Sequence, residues 1–402
     1  MKIFYRRCIA CLLLPVLLTG FVPDQLLKTL FVQAEQQTRL MLNEMATITQ
    51  SQSPGKPALV SPRTLTAEGV LQAVPARDWT SGFFPGELWY LYEYTGQKEW
   101  ANQARLFTAR LESEKTNAGT HDMGFKLYCS YGNGYRLTRD PAYRSIIIEA
   151  ARTLTKRFKP TAGIIRSWDH HKDVWKCPVI IDNMMNLELL FAATRLTGDS
   201  TFYKIAVTHA QTTMKNHFRP DNSSYHVVDY DTLTGKVLKK NTHQGFSDAS
   251  AWARGQAWGL YGYTLCYRET KDPQFLKQAE AIARFMLNHP HMPGNLVPYY
   301  DFDAPDIPNE PRDVSAAAIM ASALFELSTY VPGSPYRAKA DQVIASLAKS
   351  YASPVGKNHG FLLLHSTGAK TFERDVPLVY ADYYYLEALL RSKKINEKKP
   401  LF

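Results

Sequence analysis

The chain has 402 residues, 45% of them hydrophobic, so it can bury a large core and is too apolar for wholesale disorder. Its formal net charge of +10 favours acidic partners, and no basic cluster, aromatic RNA-binding motif or zinc-finger spacing points to nucleic acid. An acidic polysaccharide is the partner class that fits best.

The first residues, MKIFYRRCIACLLLPVLLTG, are typical of a secretory signal. A basic head precedes an apolar run of about a dozen residues, which is too short to span a bilayer comfortably. We predict that residues 1–23 are a signal segment and that the chain is exported, to a bacterial periplasm, without stable membrane insertion after signal removal. A membrane-bound N-terminus is the alternative. Cys8 and Cys11 lie inside this run, so their spacing is not a redox or zinc motif. The other cysteines are predicted to be buried thiols: Cys129, Cys177 and Cys266.

A short joint between helices recurs along the chain. Its copies are YEYTGQKEWANQA (92–104), YRLTRDPAYRSII (135–147), TRLTGDSTFYKIA (194–206), YRETKDPQFLKQA (267–279) and a degenerate STYVPGSPYRAKA (328–340). The first helix of most copies ends in Thr, and in three copies Asp followed by Pro or Ser supplies the cap and first turn of the next helix. The uneven spacing of the joints indicates helical hairpins with loops of variable length.

Periodicity around these joints predicts about twelve helices. They fall at 24–50, 85–95, 97–115, 122–138, 140–158, 182–197, 199–217, 252–270, 272–288, 312–330, 334–351 and 376–392. Helices before a joint are aromatic and rich in small residues, whereas helices after it are charged on one face, as inner and outer rings would require.

The predicted fold is therefore all-α: an (α/α)6 barrel, a toroid of six helical hairpins in which the first and last helices pair. An open solenoid of helical pairs is the alternative. Residues 224–241 are predicted to form a small β-hairpin excursion, and residues 51–64 a loop. With no convincing linker, residues 24–402 are interpreted as a single domain.

The loops that enter the inner helices would all open at one end of such a toroid. These loops carry the unusual residues: ARDWTSGFFPG has Trp79, NAGTHDMGF has His121 and Asp122, CPVIIDNMMN has Asp182, and THQGFSDASAWARGQAW has Gln244, Trp252, Arg254 and Trp258. Two carboxylates, a guanidinium and several indoles are thus predicted to meet at one mouth.

Each of these residues also has an ordinary structural interpretation. Asp182 could cap the helix that follows it, but its apolar neighbours and a nearby Asp122 would also raise its pKa, as a proton donor needs. Asp122 is likewise a candidate cap, His121 could be structural, and Arg254 could form a surface ion pair. The tryptophans could belong to the core.

The segments HDMGF, IIDNMMNLELL, WTSGFFPGELW and QGFSDASAWARGQAW resemble the motifs of glycoside hydrolase family 88, the unsaturated glucuronyl hydrolases. The similarity runs from Trp79 to PLVYADYYYLEALL. It implies an (α/α)6 catalytic domain that removes 4,5-unsaturated uronic acids from the non-reducing ends of lyase-cut oligosaccharides, which are expected to derive from glycosaminoglycans. It also implies that Asp182 is the general acid/base and Asp122 a second essential carboxylate. Substrate-binding positions by the same resemblance are Trp79, His121, Trp168, His226, Gln244, Trp252, Arg254 and Trp258.

The family chemistry is acid-catalysed hydration of the C4=C5 enol ether, which requires no metal or organic cofactor. His170–His171 and His289–His291 lack a carboxylate set, so no metal site is predicted. The alternatives are an unsaturated rhamnogalacturonyl hydrolase and a non-catalytic sugar-binding toroid. Some family members contact a substrate sulfate through S-x-x-S-x-K. Here HSTGAK (365–370) keeps Lys370 but has His365 and Gly368 in place of the serines, which argues against chondroitin 6-sulfate.

Overall fold

The structure is a computed structural model that describes residues 22–52 and 55–402. Twelve helices dominate these residues. They are α1 (Asp24–Gln50), α2 (Phe83–Thr95), α3 (Lys98–Ala109), α4 (π-helical over Gly124–Gly132 and α-helical over Asn133–Thr138), α5 (Pro141–Thr155), α6 (Asn183–Thr197), α7 (Ser200–His217), α8 (Ala253–Thr270), α9 (Pro273–Asn288), α10 (Val314–Tyr330), α11 (Tyr336–Ser350) and α12 (Val379–Asn396). The predicted helices are confirmed, with ends that shift by a few residues.

Capping residues explain where the hairpins turn. The side chains of Asp140, Asp199 and Asp272 each accept a hydrogen bond from the backbone N–H two residues later, which starts α5, α7 and α9. The helices that precede them, α4, α6 and α8, end in left-handed residues: Arg139 at φ 58°, Gly198 at φ 76° and Lys271 at φ 58°. The Thr-Gly-Asp and Thr-basic-Asp joints of the sequence are therefore a helix stop followed by a helix start.

The even-numbered helices form a closed inner ring. Each of α2, α4, α6, α8, α10 and α12 packs against the next, and α12 packs against α2. That last contact closes the toroid, so the open-solenoid alternative is wrong and the (α/α)6 barrel is confirmed. Helix α1 lies against α12, as predicted for the first and last helices.

Burial separates the two rings. Every residue of α10 from Val314 to Leu327 is buried, because this helix is surrounded by other helices. Outer helix α9 buries one stripe only: Phe275, Ala279, Ile282, Ala283 and Met286. Small residues let the inner helices approach closely. A Cβ on Gly262 of α8 would lie 2.4 Å from Cβ of Met184 on α6.

Two buried carboxyl groups lie where the ring closes. Glu87 on α2 is 3% exposed and Asp382 on α12 is 2% exposed. Asp382 accepts hydrogen bonds from the backbone N–H groups of Leu362 (2.8 Å) and Leu363 (3.0 Å). Burial raises the pKa of both carboxyls, and the charge of Asp382 raises the pKa of Glu87 further. The closing contact therefore contains protonated acid.

Short β-sheets lie in the loops between the helices of the barrel. The predicted hairpin within 224–241 is confirmed as β6 (Val227–Tyr230) and β7 (Val237–Asn241), and β5 (Pro178–Ile180) adds a third strand. Strands β3 (Phe158–Lys159) and β4 (Ile164–Ile165) form a second small sheet. The predicted loop at 51–64 is wrong from Leu59 onward, because β1 (Leu59–Leu65) pairs with β2 (Leu71–Pro75). Pro62 lies inside β1 and conceals the strand in the sequence.

The two ends of the barrel differ. We call the end where the inner helices begin the catalytic end and the other the far end. A cavity of about 940 Å³ lies at the far end, lined by the C-terminal parts of the inner helices and by residues 398–402. Arg268 and Arg391 there form ion pairs with the carboxylates of Glu188, Glu269, Glu326 and Glu387.

The predicted signal segment lies almost entirely outside the described residues, and its cleavage stays a prediction. Val22, just before α1, is packed at 3% exposure. Over residues 22–52 and 55–402, none of the helices has the length and apolar character needed to cross a membrane.

Candidate active site

Asp182 lies between β5 and α6 and is 6% exposed. It occupies the N-cap position of α6, as the structural interpretation predicts, but its side chain makes no capping hydrogen bond. Within the described residues, its Oδ2 atom has no hydrogen-bond partner. Burial raises the pKa of Asp182 to about 7; the charge of Asp122 adds to this rise and the guanidinium of Arg254 opposes it. Asp182 is thus a carboxyl group that can give and take a proton near neutral pH.

His226 faces this carboxyl group. Its Nε2 atom lies 3.7 Å from Oδ2 of Asp182, and its Nδ1 atom accepts hydrogen bonds from the backbone N–H groups of His243 (3.0 Å) and Gln244 (3.1 Å). Burial lowers the pKa of His226 well below its ordinary value, so the ring is neutral. With Nδ1 as acceptor, the single ring proton is on Nε2. His226 therefore presents an N–H group to Asp182.

The loops of the two aspartates are tied together by Ser167. Its carbonyl accepts from the backbone N–H of His121 (3.1 Å), and its hydroxyl accepts from the N–H of Ile180 (2.9 Å) in β5. His121 Nε2 lies 3.3 Å from Asp122 Oδ1, and the Thr120 hydroxyl donates to Asp122 Oδ2 at 2.7 Å. The predicted meeting of the two carboxylates at one mouth is thereby confirmed.

A close helix contact sets the position of this loop. A Cβ on Gly124, at the start of α4, would lie 2.7 Å from Cα of Asn186 on α6. The Asn186 side-chain oxygen also accepts from the backbone N–H of Phe125 (3.0 Å). Glycine is thus required at position 124, because only it allows α4 to approach α6 this closely.

Arg254 is 1% exposed, so its interpretation as a surface ion pair is wrong. Its Nη1 donates to Asp313 Oδ2 (2.6 Å) and to the carbonyl of Thr367 (2.6 Å), and Nη2 donates to the carbonyl of Gly368. The guanidinium also lies over the Trp252 ring, 4.4 Å from its centroid. Arg254 therefore binds the 366–368 segment to the inner ring, and its role as a clamp for a substrate carboxylate stays a prediction.

Comparisons with known proteins identify the family of the chain. Residues 61–393 match the model of Glycosyl Hydrolase Family 88. The chain belongs to this family. It is 52% identical over 341 residues to an unsaturated glucuronyl hydrolase of Formosa agariphila, covering 83% of this chain and 85% of that one. It is 36% identical to the unsaturated glucuronyl hydrolase of Bacillus sp. strain GL1, covering 79% and 86%.

Solved structures give the same assignment. A crystal structure of an unsaturated glucuronyl hydrolase specific for heparin superposes with a TM-score of 0.87 at 48% identity, covering 93% of this chain and 99% of that one. Another neighbour is a Streptococcus agalactiae variant complexed with dGlcA-GalNAc6S, with a TM-score of 0.74 and 28% identity over 92% of each chain. The family 88 chain is a glycoside hydrolase, so the alternative of a non-catalytic sugar-binding toroid is set aside.

The aromatic residues surround the family 88 site. Trp79 is partly buried and packs on Phe83, Phe125 and Tyr380. Trp252 and Trp258 are 2% and 0% exposed, and neither indole N–H has a hydrogen-bond partner within residues 22–52 and 55–402. Both side chains are buried as core residues are. Trp258 also lies close enough to Asp182 to lower the pKa of that carboxyl group, whereas Trp252 keeps an unused donor among the described residues.

A loop hairpin covers the mouth of the site in the family 88 chain. We call it the 366–376 hairpin, because Ser366 and Val376 exchange two backbone hydrogen bonds at 2.9 Å. The Gln244 side chain donates to the Gly368 carbonyl (2.9 Å), and Lys370 Nζ donates to the carbonyl of Phe246 (3.2 Å). Glu373 of the hairpin pairs with Arg63 of β1, with its Oε1 2.5 Å from Nε. Gln244 therefore contributes to the position of the hairpin.

Trp168 lies at the rim, 9% exposed, 5.5 Å between ring centroids from both Trp175 and His243. The structure therefore brings all ten predicted site residues to the catalytic end.

Sequence reasoning missed Asp313, the ion-pair partner of Arg254. Its signal was the helix start Asp-Val-Ser, since Asp313 Oδ1 accepts from the N–H of Ser315 (3.1 Å).

Within residues 22–52 and 55–402, no set of three or more His, Cys, Asp and Glu side chains is arranged to hold a metal ion. The free thiols within these ranges are Cys129, Cys177 and Cys266, of which the last two are buried and Cys129 is partly buried.

Proposed function

We propose that the chain removes 4,5-unsaturated uronic acid from the non-reducing end of lyase-generated glycosaminoglycan oligosaccharides. The observation that carries this proposal is Asp182, a buried carboxyl group whose pKa is raised to about 7 and whose Oδ2 atom faces the N–H of His226. A carboxyl group with a pKa near the working pH can act as acid in one step and base in the next.

The proposed reaction starts at the C4=C5 double bond. Protonated Asp182 gives its proton to C4, and the cation that forms is shared between C5 and the ring oxygen. Asp182, now a carboxylate, takes a proton from a water molecule as that water bonds to C5. The hemiketal then opens and the glycosidic bond breaks without attack at C1. One water is consumed, and Asp182 ends protonated as it began.

The neighbours of Asp182 have supporting roles in this scheme. The N–H of His226 orients the carboxyl group and stabilises its ionised state between the two proton transfers. Asp122, which is partly exposed with His121 beside it, contacts the sugar hydroxyls or the developing cation. The partly buried indole of Trp79 provides apolar surface for a sugar face, whereas Trp258 is 0% exposed and offers none. Arg254 provides positive charge near the carboxylate of the substrate.

Relatives support this substrate class. One solved neighbour is specific for heparin, and another was solved with dGlcA-GalNAc6S. In the Streptococcus agalactiae enzyme, two separate variants replace aspartates that are as far apart in sequence as Asp122 and Asp182. His365 of this chain, in the place of a sulfate-contacting serine, pairs with Asp375 at 2.7 Å. We therefore favour heparin-derived or hyaluronan-derived substrates over chondroitin 6-sulfate.

The test is a hydrolysis assay with unsaturated disaccharides, because the reaction removes the ultraviolet absorbance of the conjugated double bond. We expect the absorbance to fall with the wild-type chain. With Asp182→Asn it should persist, because the rate of hydrolysis should be lower by about a thousandfold or more. The matched control is Asp199→Asn, the same change at a helix cap, where Asn caps equally well. An undiminished rate in Asp182→Asn would remove the acid assignment. Activity confined to rhamnogalacturonan-derived disaccharides would favour the rival hydrolase.

We also propose that the enzyme acts in the periplasm. The basic head and short apolar run of residues 1–23 support this location. Fractionation of cells that express the full chain should place the activity in the periplasmic fraction, and deletion of residues 2–21 should retain it in the cytoplasm.

A further inference from the structure

Three histidines surround the indoles at the rim of the site. His170, His171 and His243 are exposed, and we call them the rim histidines. Ring centroids of His170 and His171 lie 4.8 Å apart, and those of His171 and His243 lie 5.7 Å apart. His170 stacks on Trp168 at 5.3 Å with an interplanar angle of 19°. The proposed reaction uses none of their imidazole groups.

The indoles beneath them carry unused donors. Trp168 and Trp175 are 9% and 6% exposed, and neither Nε1 atom has a hydrogen-bond partner among the residues that the structure describes. A buried indole N–H without a partner is costly unless a ligand or water accepts from it. The rim thus combines apolar ring faces, which suit a sugar, with hydrogen-bond donors, which suit an anion.

The charges around the rim favour an anion. The carboxylate of Asp169 raises the pKa of His170, but it also forms ion pairs with Arg157 (2.7 Å) and Arg166 (3.1 Å). The two positive charges outweigh its single negative charge. The same loop carries Lys172 and Lys176 besides Asp173.

The other side of the rim is β6 and the loop after β7. His226 packs there against His243 with a ring-centroid distance of 6.3 Å, and it is neutral. Burial and the neighbouring imidazoles lower the pKa of His243, since protonated rings repel each other. A bound anion between the rings would offset that repulsion.

We propose that the rim histidines form an anion subsite for a sulfate group on the sugar that follows the unsaturated uronic acid. This inference rests on the proposed function and specifies its substrate class. His243 joins the two sites directly, because its backbone N–H binds Nδ1 of His226, whose Nε2 lies 3.7 Å from Asp182. A sugar that follows the uronic acid in the mouth reaches the rim next. A bound sulfate favours the protonated forms of His170 and His243, so sulfated substrates gain most at mildly acidic pH.

The experiment compares one disaccharide with and without sulfate. We choose an unsaturated uronate–glucosamine disaccharide, N- and 6-sulfated or unsulfated, and measure kcat/KM for both at about pH 5.5 and about pH 8. In the wild-type chain, the ratio of sulfated to unsulfated kcat/KM should rise as the pH falls. In a triple variant His170→Gln, His171→Gln and His243→Gln, the ratio at the lower pH should fall about tenfold, with little change at the higher pH.

The matched control is His359→Gln, a histidine that contacts Glu44 of α1 and lies outside the rim. It should leave the ratio and its pH dependence unchanged. An equal ratio in the triple variant and the wild type would overturn the subsite. If the ratio falls as expected, single substitutions with monosulfated disaccharides assign the position of the sulfate to individual histidines.

A binding measurement separates this inference from the proposed function. Titration calorimetry with Asp182→Asn measures affinity for the sulfated disaccharide whether or not the chain hydrolyses it. We expect the three rim substitutions to weaken that affinity about tenfold at the lower pH. Unchanged affinity overturns the subsite alone. Absence of hydrolysis by the wild type, with rim-dependent binding of the sulfated sugar, overturns the proposed reaction and supports the subsite.

Discussion

The two ends of the barrel differ in how completely their buried polar groups are paired. At the far end, Arg268 lies 3.0 Å from Glu326 and 3.1 Å from Glu269, and Arg391 lies 3.2 Å from Glu326. At the catalytic end, Asp182 Oδ2 and His226 Nε2 are buried without a hydrogen-bond partner within the described ranges. The inner helices run between both ends; along α8, Arg254 and Arg268 are separated by about 21 Å of helical rise.

The difference distinguishes groups that hold the fold from groups that await a ligand. Charges at the far end are matched, so each removal leaves an uncompensated partner and costs stability. At the catalytic end Arg254 is matched by Asp313, but Asp182 Oδ2 and His226 Nε2 are unmatched within the described residues, which costs stability in the free chain and leaves these two atoms available to the substrate. Substitutions at the two ends should therefore have opposite effects on stability and activity.

The largest expected effect is that of Asp182→Asn on the free energy of unfolding. Asp182 holds its proton up to about pH 7 when folded but only up to about pH 4 when unfolded, so the folded chain binds more protons in this window. Stability from this group is therefore present below about pH 4 and lost as the pH rises through about 7. At about pH 8.5, Asp182→Asn should be more stable than the wild type by on the order of 4 kcal/mol, and at about pH 4 the two should be alike. Denaturant unfolding at both pH values checks this; a variant that is less stable at the higher pH would contradict it.

The next effect is smaller and of opposite sign: Glu326→Gln at the far end is expected to lower stability. Two buried guanidinium groups would lose a shared carboxylate, although Arg268 keeps Glu188 and Glu269. The free energy of unfolding should fall by about 3 kcal/mol, while kcat on an unsaturated disaccharide stays within about twofold of wild type.

Glu397→Gln is the matched control for that change. Glu397 is one-third exposed and pairs with Lys393 and Lys399, so its removal should cost about half a kcal/mol at most. Equal losses of stability in the two variants would mean that the far-end ion pairs do not stabilise the barrel more than surface pairs do.

His226 allows the catalytic end to be examined by pH dependence. His226→Leu removes the N–H that faces Asp182, so the pKa of Asp182 should rise, by roughly one unit, and kcat should fall about tenfold. The alkaline limb of the kcat/KM profile should move to higher pH accordingly. His226→Gln, which keeps an N–H donor, should restore most of both; a profile that does not shift in the Leu variant would exclude this coupling.

The smallest effect concerns the 366–376 hairpin. Glu373→Gln weakens the ion pair with Arg63, which also pairs with Asp78 at 2.9 Å. We expect KM to rise about threefold with kcat unchanged, since the hairpin covers the mouth without touching the reacting carboxyl group. Steady-state kinetics on one disaccharide would measure it, and a loss of kcat instead would place the hairpin in the chemical step.

The helical ring was predictable because its signals are local. Asp140, Asp199 and Asp272 mark helix starts within a few residues, and the contrast between aromatic and charged helices is visible in each segment. Strand β1 was missed because Pro62 weakens its pattern and because its pairing with β2 shifts register twice along the strand.

The members of the site were predictable, but several of their contacts were not. Asp182 and Asp122 stand out in their loops, whereas the pairing of Arg254 with Asp313 joins residues far apart in sequence. The tautomer of His226 depends on two backbone N–H groups from another loop. Long-range pairings of this kind leave no periodicity in the sequence, so Arg254 was expected to bind substrate and its hold on the hairpin was not foreseen.

The neighbouring carboxyl groups of Glu87 and Asp382 should make the contact that closes the ring unstable in alkaline solution. When both have lost their protons, two negative charges lie buried between α2 and α12. Those helices belong to the first and last parts of the described chain, so base-induced unfolding should begin with the separation of the N-terminal and C-terminal hairpins. Hydrogen exchange would then increase first in α1, α2 and α12, while the middle of the chain, with the loop of Asp182, stays protected.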